Sequence, residues 1–158
     1  MKHIFLQIQE KLGEVSALKY IDKDWNQLKF EQPPVKWPCA LIDVTNISYS
    51  QMGQLWQMAE ADVEITVANM RLVNSSQVHS SRADSYSVFD IMDGIHNKLH
   101  GWHGMGFSRL IRTNTAKVYT DKSAEVYTMT YHTSWRVEGT NRDIEKVQVT
   151  PRVLAELE

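Results

Sequence analysis

Ile4, Phe5, Ile8 and Leu12 recur at helical spacing near the start of the chain, and Gly13 stands where a helix stop is expected. Leu18, Tyr20 and Trp25 then stand among charges, which predicts an exposed or edge strand that turns at Asp22 to Asp24. "EQPPVKWPC" (31–39) carries three prolines in six residues and reads as an extended connector, because proline fixes φ and lacks an amide donor. "CALIDVTNISYS" (39–50) begins as a continuous apolar run and ends as an alternating one, the pattern of a strand covered on both faces only at its start. "AEADVEITVANMR" (59–71) alternates cleanly, with Ala61, Val63, Ile65 and Val67 on one face and Glu60, Asp62, Glu64 and Thr66 on the other. "MGQ" between the two is a turn signal, so the pair is expected to form a long antiparallel hairpin.

The serine-rich "NSSQVHSSRADS" (74–85) predicts an exposed loop. Beyond it Val88, Ile91, Met92, Ile95 and Leu99 make a second helical stripe, with Asp84 or Ser85 placed to cap its start and Gly101 to end it. "FSRLIRTNTAKVY" and "AEVYTMTYHTSWRVEG" follow as two strands around "TDKS", and the second sets Tyr127, Met129, Tyr131, Thr133, Trp135 and Val137 on one face. The order is therefore α-β-β-β-α-β-β. It predicts an α+β fold, an antiparallel or mixed sheet with two helices packed on one face. Ile4, Ile8, Leu12, Val88, Ile95 and Leu99 are expected to face Ile65, Val67, Ile111 and Tyr131 or its neighbours. Residues 1–139 read as one domain. Residues 140–158 read as a charged tail that either forms a short helix over "PRVLAELE" or stays disordered.

With 158 residues, 42% hydrophobic and 23% charged, the chain is long enough for one core and too apolar for general disorder. A formal net charge of −2 does not call for DNA or an anionic membrane as partner. The single cysteine, Cys39, excludes an intrachain disulfide, and its place at the head of an apolar run suits a buried structural thiol better than a nucleophile. Gln7, Gln9, Glu10 and Lys11 break up any signal-peptide core, and no apolar stretch nears the ~20 residues of a membrane span. These features predict a soluble protein made in the cytoplasm, with no membrane partner.

The strongest hint of chemistry is "HNKLHGWHGMGF" (96–107), which holds His96, His100 and His103 within eight residues. His96 and His100 are four apart and share a helix surface, whereas His103 lies beyond Gly101. A zinc protease would need glutamate after the first histidine, and Asn97 stands there. The competing reading is imidazole favoured at a helix C-terminus by the macrodipole. On balance no metal site is assigned, and His96, His100 and His103 are kept as weak candidates. A small metal-dependent enzyme built on them is the second alternative for function. Nucleophile-elbow, Walker, Rossmann and EF-hand patterns are absent, so no catalytic or cofactor-binding residue is assigned and no cofactor is expected. Glu60, Asp62 and Glu64 would be spaced by roughly 6.5–7 Å along a strand face, within the range of an inverting glycosidase pair. The same stripe reads better as a solvated face that resists edge aggregation or meets a partner's Lys and Arg. Among five tryptophans, Trp135 belongs to an apolar strand face; Trp25 and Trp56 suit core or interface equally, and Trp37 sits in the proline connector as an interface candidate.

An opening helix, "LKYIDKDWNQL", "PPVKWPCALIDV", the acidic alternating strand, "FDIMDGIHNKLHGW" and two closing strands ending "YTMTYHTSWRVEG" together resemble the small tail-terminator, or tail-completion, proteins of tailed phages and prophages. The resemblance spans about residues 2–138 and rests on element order and local texture. It implies a mixed sheet with helices on one side and a homo-oligomeric ring, commonly a hexamer, that caps the tail tube and joins it to the neck proteins. It also implies DNA only as passing cargo, assembly in the host cytoplasm and a final place in the virion tail. Glu60, Asp62 and Glu64 would then line the lumen or a subunit seam, Trp25, Trp37 and Trp56 would serve interfaces, and the loop at 74–84 would bind a partner. Another head–tail connector or tube component is the first alternative. The histidine-rich helix end is not part of the resemblance.

Overall fold

In chain order the elements are helix α1 (Lys2–Leu12), strand β1 (Tyr20–Lys23), strand β2 (Cys39–Gln51), strand β3 (Trp56–Met70), helix α2 (Ser87–Leu99), strand β4 (Ile111–Val118) and strand β5 (Ala124–Glu138). The structure is a computed structural model that describes residues 1–53, 55–70, 83–120 and 123–139. Most of the serine-rich loop and the whole charged tail therefore lie outside the described residues. The strands form one mixed sheet in the order β1-β2-β3-β5-β4. β1 runs parallel to β2, and every other neighbouring pair is antiparallel. The expected α+β class, element order and long β2–β3 hairpin are all present.

Alternation decides which face of the sheet is covered. Ala61, Val63, Ile65 and Val67 of β3 lie in register with Thr133, Tyr131, Met129 and Tyr127 of β5, so one face of the central pair is apolar along its length. Both helices bury their stripes there: Ile4, Ile8 and Leu12 from α1, and Val88, Ile91, Met92, Ile95 and Leu99 from α2, join one core with Ala40 and Ile42. At the helix ends Glu14 accepts hydrogen bonds from Lys11 and Lys98, each at 2.9 Å, and so ties the two helices at the surface. Lys11 first, then Lys98, holds the Glu14 carboxyl below its usual range. The opposite face is covered only at one end. There Cys39, Ala68 and Val126 make a small second cluster with Tyr20 of β1, with Leu28, and with Val35 and Trp37 of the connector. The Cys39 thiol is fully buried, and burial pushes it up to about 12.

Two local expectations, the cap of α2 and the facing of Ile111, are corrected. α2 is preceded by a 3-10 turn over Ala83–Tyr86, and its N-cap is Tyr86 without a side-chain cap bond, so neither Asp84 nor Ser85 caps it. Gly13 does end α1, but in a right-handed conformation (φ −59°), with its N–H shared between the carbonyls of Gln9 and Glu10. Ile111 does not face the helices. It lies in register with His132 on the other face and is 45% exposed. All eight residues of β4 are exposed, so this edge strand has no buried side. The β1 edge is different: Gln9 Nε2 of α1 donates to the outward carbonyl of Ile21 at 2.9 Å.

Candidate functional site

The uncovered face of the sheet gathers the acidic residues. Glu60, Asp62 and Glu64 lie in register with Ser48, Thr45 and Asp43 of β2 on one side, and with Ser134, His132 and Thr130 of β5 on the other. Asp43 therefore adds a fourth carboxylate beside Glu64. A β-bulge interrupts β2 between Thr45 and Ser48, where Asn46 takes a left-handed conformation (φ 51°) that asparagine tolerates. The bulge turns its side chain onto the stripe: Asn46 Nδ2 donates to Asp62 Oδ2 at 2.9 Å. Thr45 Oγ1 donates to Glu64 Oε1 at 2.9 Å, and His132 Nδ1 lies 3.3 Å from Asp62 Oδ1. Asp62 and Glu64 are half-buried by these neighbours, whereas Glu60 is exposed.

Such a face can hold a line of negative charge with its geometry fixed by hydrogen bonds. A cleft on this side, ≈ 960 Å³, lies further along the sheet over Thr66 and Thr128 and includes none of the stripe. That cleft is walled by Asp24, Leu28 and Lys29, by the connector (Glu31, Pro33, Trp37), the end of β3 (Met70) and the β4–β5 end (Val118, Tyr119, Val126).

The three histidines are not brought together around one point. The His96 and His100 rings stack with centroids 4.7 Å apart, and His100 Nδ1 accepts the Arg112 N–H at 3.2 Å. His103 is exposed in the segment after α2. Among the described residues no group of three or more His, Cys, Asp or Glu side chains can hold a metal ion. The stretch "HNKLHGWHGMGF" has a packing role. Gln7 of α1 accepts the Met105 N–H at 2.7 Å and donates to the Met105 carbonyl at 3.0 Å. A Cβ at Gly104 would collide with Gln7 Oε1 and the Phe107 ring, so only glycine allows this close approach. Trp102 and Phe107 meet edge to face at 5.5 Å and close the core beneath it.

His96 Nδ1 is buried with no protein partner. Burial first, then the Arg112 guanidinium and His100, lowers its pKa, and Asp93 opposes them only in part. The folded chain thus resists protonation at His96 while the unfolded chain does not. The stability tied to this group is intact above the ordinary histidine value, ~6.5, and is lost as pH falls below it. Thermal melts from pH 7.5 to 5 should show a smaller acid-side decline in His96→Gln than in the wild type. Equal declines would mean that His96 is not the group responsible.

The tryptophan candidates divide. Trp25 and Trp56 are exposed, and Trp25 meets Phe30 edge to face at 5.7 Å. Trp37 is half-buried on the second cluster and lines the cleft, and Trp135 lies in the core. The residues missed in sequence were Asp43, Asn46 and His132 around the stripe, and Tyr49, Met52 and Leu55 beside Trp56 at the hairpin tip. Register parity could have found Asp43 and His132. The run "YSQMGQLW", apolar on both sides of a turn signal, marked the tip.

No protein-family model matches this chain, and no curated protein does. Among solved structures, a chain described as "Virion of native gene transfer agent (GTA) particle" is similar at 13% identity and a TM-score of 0.49, over 85% of this chain and 92% of that chain. Similarity at that level does not establish a shared fold.

Proposed function

We propose that this chain is a structural virion protein: a tail-terminator subunit that assembles as a homo-oligomeric ring on the end of a phage or prophage tail tube, at the junction with the neck. Residues 1–139 would supply the single folded domain of that subunit. The observation that carries this reading is the two-sided sheet, with helices closing one face and Asp43, Glu60, Asp62 and Glu64 on the uncovered one. The sequence resemblance supplies the context in which such a face has a use. A ring with this face turned inward has a negatively charged channel, and a like-charged wall keeps passing duplex from adhering.

In this reading the work is assembly and not catalysis. Subunits close side by side, the ring seats on the tube, and tube growth stops. DNA passes the acidic lumen without being read, because no base contact is needed. The test is electron microscopy of the purified protein mixed with tail tubes. Closed rings on one tube end, with tube length fixed thereafter, are expected. A strictly monomeric protein that ignores tubes would overturn the reading. Rings that bind neck assemblies but not tubes would assign the chain to the connector class instead.

A further inference from the structure

We propose that His100 is an acid-released cap on the outer edge of β4: its neutral imidazole holds the first outward N–H of the strand, and protonation lets that N–H go. The device needs neither a ring nor a tube. It is built where the chain leaving α2 runs beside the start of β4. Gly101 N–H donates to the Leu110 carbonyl at 2.8 Å, Leu110 N–H donates to the Trp102 carbonyl at 2.9 Å, and Arg112 N–H donates to His100 Nδ1 at 3.2 Å. Residues two apart on an extended chain direct their N–H groups to the same side. Leu110 and Arg112 therefore both donate to the exit segment, away from β5. The two bonds differ in their acceptors. The Leu110 bond ends on a carbonyl, which accepts at any pH. The Arg112 bond ends on an imidazole, which accepts only while it is neutral.

Because Nδ1 is the acceptor, the neutral ring carries its proton on Nε2. A second proton has only Nδ1 to go to. The imidazolium is then a donor at both nitrogens, and its Nδ1–H points at the Arg112 N–H. The bond is lost outright, and two donors are left facing each other. With Arg112 released, the open edge of β4 no longer starts at Asn114 but reaches back across the register shift between Arg112 and Asn114.

The surroundings decide which ring takes the proton. His96 stacks on His100 with centroids 4.7 Å apart, and two imidazolium rings at that spacing repel. His96 Nδ1 is buried without a protein partner, whereas His100 is exposed. Burial first, then Arg112 and His100, holds His96 below its usual range, with Asp93 of α2 opposing. A proton that comes to the pair therefore settles on His100. The other charged or titratable groups on this side come from β4, the exit segment and β5. Arg112 is the donor itself, and Arg109 donates its guanidinium N–H to the Gly101 carbonyl at 3.0 Å. Tyr131 lies in register with Arg112, and burial pushes its hydroxyl up to about 12. Among the described residues no carboxylate forms an ion pair with His100. Nothing there rewards the charged ring for keeping its place.

The test is amide hydrogen exchange of the full chain, read residue by residue by NMR from pH 7.5 to 5 and corrected for the intrinsic pH dependence of exchange. Protection of the Arg112 amide is expected to fall by on the order of ten-fold towards pH 5. Leu110, whose acceptor is a carbonyl, is the internal control and should stay level. His100→Asn sets an amide oxygen where Nδ1 stands and has no proton to gain, so Arg112 should stay protected across the range. His100→Ala should leave it unprotected throughout. His100 is exposed, so both variants should keep the wild-type melting temperature at pH 7.5. Level protection of Arg112 in the wild type, a parallel fall at Leu110, or protection that survives in His100→Ala would each overturn the proposal. So would an acid-side fall that persists in His100→Asn, because the trigger would then lie at His96.

Discussion

Leu99→Ala is expected to destabilise the chain by ~2–5 kcal/mol, the range for a fully enclosed leucine that leaves a cavity. Leu99 is the last residue of α2, fully buried in the same core as Ile95, Leu110 and Tyr131. The segment that follows is folded back over this point. Gly101 N–H donates to the Leu110 carbonyl at 2.8 Å, and Leu110 N–H donates to the Trp102 carbonyl at 2.9 Å. That pinned backbone limits how far the site can collapse into the space left by the deletion, which favours the upper part of the range. Against a typical total of ~5–15 kcal/mol, the loss is a large fraction of the fold's stability. Urea unfolding should show a lower midpoint with an unchanged slope. Ile111→Ala is the control, since Ile111 is exposed on the opposite face, and it should change stability by no more than about 0.5 kcal/mol. Equal effects of the two substitutions would mean that the placement of α2 is wrong.

Neutralising the acidic face while reversing its exposed member is expected to block DNA passage without unfolding the subunit. The variant follows from the geometry. Asp62 and Glu64 are half-buried and accept hydrogen bonds from Asn46 and Thr45, so lysine at either place would strand a charge among those donors. Asp62→Asn and Glu64→Gln remove charge and keep an acceptor, and Glu60→Lys changes sign where solvent has free access. The melting temperature should stay near the wild type. Duplex DNA, which the wild-type face is expected to repel, should now bind with an affinity that falls steeply with salt. In a complementation assay, particles should assemble and deliver their DNA poorly. Normal infectivity from the triple variant would remove the lumen role of this face.

The fold was largely legible because most of the sheet has one wet and one dry side. Wherever a strand alternates against a covered face, as in β3 and β5, parity alone orders the side chains, and the helical stripes of α1 and α2 name what covers them. Legibility failed where that contrast vanishes. β4 is exposed on both sides, so its apolar Ile111 has no core to report, and a register shift between Arg112 and Asn114 disturbs the count further. Asn46 gave no warning of a bulge, because asparagine in a strand also reads as an ordinary polar position. The histidine stretch hid its packing for a different reason. Three imidazoles close in sequence suggested chemistry, but the helix ends between them, and the glycines that follow serve a tight approach to α1. The cleft was invisible in sequence because its walls come from segments as distant as Leu28 and Tyr119.

The Gln9 bond to Ile21 has a consequence for growth. Strand pairing between copies is a step polymerisation, and a monomer propagates only when it has two reactive ends. Here one end is short and its Ile21 carbonyl is already occupied from within the chain, while β4 is longer and, with the Arg112 N–H taken by His100, keeps its outer edge from Asn114 to Val118 among the described residues. With respect to edge pairing the sheet is monofunctional. Two copies that meet through β4 consume the long edges of both and leave only the short, part-occupied β1 edges, so this route is expected to end at a dimer instead of running on into a fibril.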